Sequence, residues 1–294
     1  DNLLTSIVLA NRCPVALCPS MDVDMFENEV TQNNLKLLSG RGFNIIEPGT
    51  GFLASGLTGK GRLPDNIEIL KGIEKIFLGS TKELSGKRVV VTAGPTREFI
   101  DPVRFISNRS SGKMGYELAR AFAERGALVT LISGPVDLAP PSSVTLIKVN
   151  SSKEMFSSVK EKDADIYVMA AAVSDFTAAE PVKEKIKKED FGLNIKLQKT
   201  DDILAWLGQN RSGSLLIGFA LETNNEIENA LKKLETKNAD IIVLNNPLIK
   251  GAGFETDTNI VTIFDRKGNQ MSLPKMSKYD TANQIIDYAI RYSK

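Results

Sequence analysis

Apolar residues fall into short unbroken runs, separated by stretches where they recur every third or fourth position. Val89 to Val91 is a β-branched run of strand length, and Thr92-Ala93-Gly94-Pro95 closes it with turn-forming residues. From Lys113 the positions Met114, Leu118 and Phe122 share one helical face, and Gly126 stands where a left-handed C-cap would. Leu128 to Ile132, Val144 to Val149, Leu215 to Ala220 and Ile241 to Leu244 predict further strands. Ile166 to Val173 is apolar without alternation, as a central parallel strand covered on both faces would be. Ser151 with Glu154 opens a helix expected to end near Asp163, Thr200-Asp201-Asp202 caps a short one, and Asn225 to Asn238 makes a third. Ile260 to Phe264 and Gln270 to Leu273 read as a hairpin, and Ser277 opens a last helix with Ala282, Ile285, Ile286 and Ile290. Strands alternating with helices predict an α/β fold with a doubly wound, mostly parallel Rossmann-like sheet over residues 86–294.

Upstream the pattern is thinner. Residues from Asp1 read as helix, Val15-Ala16-Leu17 and Asn44-Ile45-Ile46 as strands, and Glu29 to Ser39 as a helix turning Leu35 and Leu38 inward. A helix from Pro64 to about Phe77 follows. Pro48 to Gly51 and Ala54 to Arg62 hold so much glycine that irregular structure is expected there, and Gly79 to Gly86 reads as a linker after a first domain of residues 1–80. The start, without methionine or a signal-peptide pattern, reads as that of a fragment.

Composition narrows the chemistry. A length of 294 residues favours two domains, and 42% apolar content suffices for a sizeable core. Lys+Arg 37 against Asp+Glu 36 argues against a nucleic-acid or membrane surface, and no apolar run is long enough to span a bilayer. Cys13 and Cys18 match no zinc spacing or disulfide framework, which fits a reduced, cytoplasmic setting. The chain has no histidine, which excludes Ser-His-Asp and Cys-His catalysis and histidine-held metals.

One place invites an anion. Ser107-Asn108-Arg109-Ser110-Ser111-Gly112-Lys113 feeds small residues into a helix N-terminus, where unpaired N–H groups and the helix dipole favour a phosphate. It is not a Walker A loop, which needs glycine at Ser107 and a hydroxyl at Met114. Nor is it a dinucleotide fingerprint, since G-x-G-x-x-G is absent and Ser133-Gly134-Pro135 supplies no ribose-binding acid. Gly94, Asp175, Phe219 and Asn245 are expected at the carboxyl ends of strands, where such sheets bind ligands. Asp175 precedes a lysine-rich loop, Lys183 to Lys188 with Lys196 and Lys199, suited to closing on triphosphate charge, and Asp175 itself could hold a ribose or magnesium.

At this point the motifs become specific. VTAGPTREFIDPVRFISNRSSGKMGYELA (91–119), AAAVSDF (170–176), EKIKK (184–188) and IGFALETNN (217–225) resemble the phosphopantothenate–cysteine ligase half of the bifunctional coenzyme A biosynthesis proteins. PSMDVDM (19–25), EPGTGFLASG (47–56) and GKGRL (59–63) resemble the C-terminal part of the flavin-dependent decarboxylase half, a partial flavodoxin-like segment. The resemblance implies that CTP activates phosphopantothenate as an acyl-cytidylate, which the amine of cysteine attacks. It implies that Asn108 handles the acyl intermediate and that Lys185 meets the triphosphate. Gly94, Asp175, Thr200, Asp201, Asp202, Ile203, Phe219, Lys233 and Lys237 would contact CTP, with Lys233 and Lys237 on one helical face. Ser110, Ser111, Gly112 and Lys113 would form the phosphopantothenate anion loop. Magnesium follows from the triphosphate, FMN from the decarboxylase half, and a homodimer through the ligase half from family precedent. In that decarboxylase half Met21 and Asp22 stand in a motif usually reading P-A-M-N, and Ser55 replaces a cysteine of many members. A hydroxyl is a far weaker acid than a thiol, so decarboxylation by this chain is in doubt. Two alternatives stand beside the ligase: an NAD(P)-dependent reductase, and a non-catalytic nucleotide-binding subunit.

Overall fold

The computed structural model describes residues 2–77, 83–187, 194–222, 224–245 and 256–293. The chain divides into an N-terminal unit, Asp1–Thr81, and a C-terminal unit, Lys82–Lys294.

The N-terminal unit runs α1 (Leu3–Ala10), β1 (Ala16–Leu17), α2 (Val23–Glu27), α3 (Glu29–Gly40), β2 (Asn44–Ile45), β3 (Gly49–Phe52), β4 (Thr58–Arg62) and α4 (Asn66–Phe77). Strands β1 and β2 pair in parallel, and β3 and β4 in antiparallel fashion. The glycine-rich stretch expected to be irregular is therefore a hairpin. Its glycines mark a close backbone approach: the Met21 N–H donates to the Gly61 carbonyl at 2.9 Å. A Cβ on Gly61, at φ +155°, would lie 2.1 Å from the Met21 carbonyl oxygen, so only glycine fits.

The C-terminal unit begins with β5 (Arg88–Ala93), the hairpin β6 (Arg97–Phe99) and β7 (Phe105–Ser107), then α5 (Lys113–Glu124), β8 (Leu128–Ser133), β9 (Val144–Lys148), α6 (Ser152–Lys160) and β10 (Ile166–Met169). A second hairpin, β11 (Phe176–Ala178) with β12 (Leu197–Lys199), precedes α7 (Ile203–Asn210), β13 (Leu215–Leu221), α8 (Glu226–Thr236) and β14 (Ile241–Asn245). The chain closes with β15 (Thr258–Asn259), β16 (Val261–Asp265), β17 (Gln270–Ser272), β18 (Met276–Ser277) and α9 (Lys278–Tyr292). Eight of these strands form one sheet in the order β17-β16-β14-β13-β10-β5-β8-β9, parallel from β9 to β14 and antiparallel at β16 and β17.

Alternation along β5 explains the two layers. Val89 and Val91 face a core closed by Leu118 and Phe122 of α5 and Ile285 and Ile286 of α9. Val90 faces the other, with Met155 of α6, Leu207 of α7 and Leu234 of α8. Burying a side chain such as Phe122, 0% exposed, stabilises by about 1.5–3 kcal/mol. Because β5 lies between β8 and β10, crossovers leave it in opposite directions and open a crevice above the carboxyl ends of β5 and β10.

Several boundaries differ from the sequence reading. Residues 79–82 of the expected linker lie outside the described residues, while Leu84 is 5% exposed and packs into the core, its N–H on the Arg125 carbonyl. The helix opened by Ser151 ends at Lys160. Strand β10 stops at Met169; beyond it the Ala171 N–H turns to Thr92 Oγ1 at 3.3 Å, and pairing resumes as an isolated parallel bridge in which the Ala172 N–H donates to the Gly94 carbonyl at 2.9 Å. These bonds tie the two lips of the crevice together.

Candidate active site

At the β5 lip, glycines let a helix end press on a strand end. Gly94 and Gly112 have φ of +74° and +75°. A Cβ on Gly112 would lie 2.9 Å from Val136 Cγ1, and one on Gly115 would lie 2.6 Å from Ala93 Cβ. The N-terminus of α5 therefore sits over the crevice. The Gly112 N–H donates to Ser110 Oγ at 3.3 Å, and Ser111 is half-buried beside it. Lys113 Nζ lies 2.6 Å from Asp257 Oδ1, and that contact holds the Asp257 carboxyl below its ordinary range. The loop thus carries a local countercharge. Asn108, just past β7, spans the crevice: its Nδ2 donates to the Val173 carbonyl at 2.9 Å and lies 3.4 Å from that of Ala172.

The opposite lip gathers charges far apart in sequence. Asp202 caps α7, accepting the Ala205 N–H at 2.8 Å on Oδ1 and Lys237 Nζ at 2.6 Å on Oδ2. Lys237 is the C-cap of α8 rather than a residue within it, yet its N–H still reaches the Lys233 carbonyl at 3.0 Å, which preserves the expected shared face. Lys233 Nζ donates to the Phe219 carbonyl at 2.8 Å. Phe219 lies within β13, near its carboxyl end. Burial lowers the Lys233 pKa against the opposing pull of Glu222, Asp202 and Asp175. Asp175 and Asp201 are exposed. The Asp175 carbonyl accepts the Thr200 N–H at 3.0 Å, and Thr200 Oγ1 donates to the Ser174 carbonyl at 2.7 Å. The Ile203 side chain is 6% exposed in the core, so only its backbone is placed for a ligand.

Lys185 stands exposed between β11 and β12, not on a bare loop but on an arm whose base is that hairpin. The arm leans on the turn joining β6 and β7: the Val182 N–H donates to the Ile100 carbonyl at 3.0 Å. Asp101, 1% exposed, accepts the Ile186 N–H at 3.2 Å. Burial alone would raise its pKa, but N–H groups of Val103, Arg104 and Ile186 and the Arg104 guanidinium lower it to about 2. The sequence reading missed Asp101; its signal was the Asp101-Pro102 pair, a turn initiator with a charged partner at Arg104.

In the N-terminal unit, Asp22 is the N-cap of α2 without a side-chain cap bond, and Ser55 sits in the exposed β3–β4 turn, its Oγ accepting the Leu57 N–H at 3.3 Å. Cys13 and Cys18 are not joined in a disulfide. Among the described residues no three His, Cys, Asp or Glu side chains group to hold a metal, and no helix is long and apolar enough to cross a membrane.

Known proteins resemble this chain. Residues 84–292 match the family model of the DNA/pantothenate metabolism flavoprotein C-terminal domain, and residues 1–78 match the Flavoprotein model. The chain is 45% identical to the coenzyme A biosynthesis bifunctional protein CoaBC of Bacillus subtilis, across 100% of this chain and 73% of the relative. The chain belongs to the bifunctional coenzyme A biosynthesis family. Another member of this neighbourhood, 48% identical across 97% of this chain and 82% of the relative, is a cysteine/cysteine sulfinic acid decarboxylase from an unknown prokaryotic organism. The crystal structure of the C-terminal domain of a CoaBC protein, 41% identical, superposes with a TM-score of 0.61 over 70% of this chain and 95% of that domain. The family's ligase-like sheet is thus the C-terminal unit described above.

Proposed function

We propose that the C-terminal unit joins phosphopantothenate to cysteine at the expense of CTP. The carboxylate attacks the α-phosphorus of CTP and pyrophosphate leaves; the cysteine amine then attacks the acyl carbon, the bond to CMP breaks and the amine gives up its proton. The observation that supports this is the convergence of Asp175, Asp202, Lys233 and Lys237 beside β13, which neighbours β10 at the switch point of the sheet. Lys233 and Lys237 meet the nucleotide with Gly94, Thr200, Asp201, Phe219 and the Ile203 backbone around it, and Lys185 neutralises the triphosphate. Ser110, Ser111, Gly112 and Lys113 take the phosphate of phosphopantothenate. Asn108, already bridging the lips, holds the acyl group between the two steps. Mg²⁺ usually takes one or two carboxylates plus phosphates, and exposed Asp175 fits that role; the ion would add charge neutralisation at the triphosphate.

The decarboxylase half implies FMN. Around Met21, Asp22 and Ser55, however, Met25, Phe52 and Leu57 are exposed, and these residues alone do not enclose a flavin. Exposed Phe99, Phe105, Phe176 and Leu197 on the two hairpins favour a homodimer through this unit, which light scattering on the purified chain tests.

The deciding experiment is pyrophosphate release with phosphopantothenate and each of the four nucleoside triphosphates, followed by amide formation on adding cysteine. Release with CTP alone is expected. No release with any of them would sink the ligase reading and leave a binding subunit or a decarboxylase; thermal shifts with NADH or NADPH but not CTP would favour the reductase.

A further inference from the structure

We infer that Asp101 is a positioning residue: its buried carboxylate fixes the segment carrying Lys185 against the β6–β7 turn, and so sets where Lys185 meets the nucleotide. The two oxygens divide the work. Oδ1 accepts the Val103 and Arg104 N–H groups, both at 2.7 Å, and closes the local turn. Oδ2 accepts Arg104 Nη1 at 2.6 Å and the Ile186 N–H at 3.2 Å. The same Arg104 nitrogen donates back to the Ile186 carbonyl at 3.2 Å, so both polar groups of the Ile186 residue are engaged. With the Val182 N–H on the Ile100 carbonyl, residues 182 to 186 are gripped on both sides of Lys185. An exposed lysine on a chain segment with little core beneath it would otherwise have no defined origin.

The split predicts a selective lesion. Asp101→Asn can keep one oxygen toward the turn, but its amide group then faces the Arg104 and Ile186 donors with another donor. The turn survives and the tie to the arm is lost. The role in turnover rests on the reading of Lys185 above, while the tie itself is measurable without activity.

The test uses the full chain. In the parent, hydrogen exchange should find the Ile186 amide protected relative to those of Lys185 and Lys187; an unprotected Ile186 amide overturns the inference whatever the variant does. In Asp101→Asn, tryptic cleavage after Lys183 and Lys185 should quicken about tenfold, and by more than cleavage at lysines elsewhere in the C-terminal unit. Pyrophosphate release should fall in kcat more than in KM for CTP, and adding Asp101→Asn to Lys185→Gln should cost nothing further. Unchanged cleavage overturns the tie, and losses that multiply in the double variant overturn the action through Lys185. If Lys185→Gln alone turns over at the parental rate, the reading of Lys185 fails instead, and protection with cleavage still decides the tie.

Discussion

Lys185 and Lys233, the two lysines proposed to meet the nucleotide, are held in opposite ways. Lys233 leaves a helix packed on the sheet and spends one hydrogen bond on the Phe219 carbonyl, and burial lowers its pKa. Lys185 is exposed on an arm that touches the rest of the unit through the Ile100–Arg104 turn. A charge fixed by the core is already oriented when substrate arrives, whereas a charge on an arm is set by the few bonds at the arm's base. The first kind suits binding the nucleotide; the second suits contact with phosphates that move during the reaction. Substituting each should therefore show different symptoms.

The largest effect is expected on the arm. Lys185→Gln should lower pyrophosphate release by about a hundred- to a thousandfold, the scale for one transition-state charge contact. Its melting temperature should stay within that of an ordinary surface substitution, about 0.5 kcal/mol. A variant turning over at the parental rate would remove Lys185 from the reaction. Next comes Asn108→Asp, which sets a carboxylate against the Val173 carbonyl and near the activated acyl group. Amide formation should slow about a hundredfold while pyrophosphate release continues, so that acyl-cytidylate accumulates and is seen by mass spectrometry. Equal slowing of both steps would mean that Asn108 only ties the lips together.

The same contrast separates what could be read from the sequence from what could not. Strands β5, β8, β13 and β14 were legible because their side chains meet a core on both faces, and burial writes itself into composition as runs such as Val89–Val91 and Ile241–Leu244. The hairpins β6–β7 and β11–β12 were read as loops, because Phe99, Phe105, Phe176 and Leu197 face no core and show no clean alternation. The β3–β4 hairpin hid for a different reason: Gly59 and Gly61 are there for the close approach of Val23 and Met21, which no local pattern encodes. Helix α1 buries nothing among its described residues despite an apolar sequence, so apolarity alone did not foretell a core in the N-terminal unit. At the crevice, motif resemblance named residues one by one. Only the fold shows that Asp202, Lys233 and Lys237 act on one another and that Asp101, which lies inside a quoted motif but was given no role there, bonds to the segment carrying Lys185.

A smaller effect belongs to the core-held lysine. Lys233→Met keeps much of the packing and removes the charge, so KM for CTP should rise about tenfold, the value of one charged hydrogen bond. Stability should respond to pH in a defined direction. Because the folded pKa of Lys233 is lowered, the unfolded chain binds more protons between that value and about 10.4, and the parent's stability gains with rising pH across this window. Lys233→Met should lose that gain. An identical alkaline profile in parent and variant would show that Lys233 is not desolvated.

The smallest effect is expected at the pair between Lys237 and Asp202, and it tests whether charge or packing holds the nucleotide lip. Their side chains are 30% and 47% exposed, and at 2.6 Å such a partly exposed pair is worth about 0.2–1 kcal/mol. Burial pushes the Asp202 carboxyl up, but the Lys237 ammonium and the Ala205 N–H outweigh it and leave its pKa below the ordinary value. A lowered carboxylate pKa stabilises the fold above the unfolded value of about 3.9, and that stability fades as pH falls through the folded one. Lys237→Gln removes the ion pair and leaves the Ala205 cap in place. The variant should melt about 1–3 °C below the parent at pH 7 in low salt. The gap should shrink in 1 M salt, where screening acts within about 3 Å, and close in acid as pH falls through the folded pKa of Asp202 and it protonates in both proteins. Calorimetry across pH and salt reads this directly. A gap that persists in acid and in salt would mean that the Lys237 methylenes, not its charge, support the lip, and the contrast between a core-held and an arm-held cation would then rest on Lys233 alone.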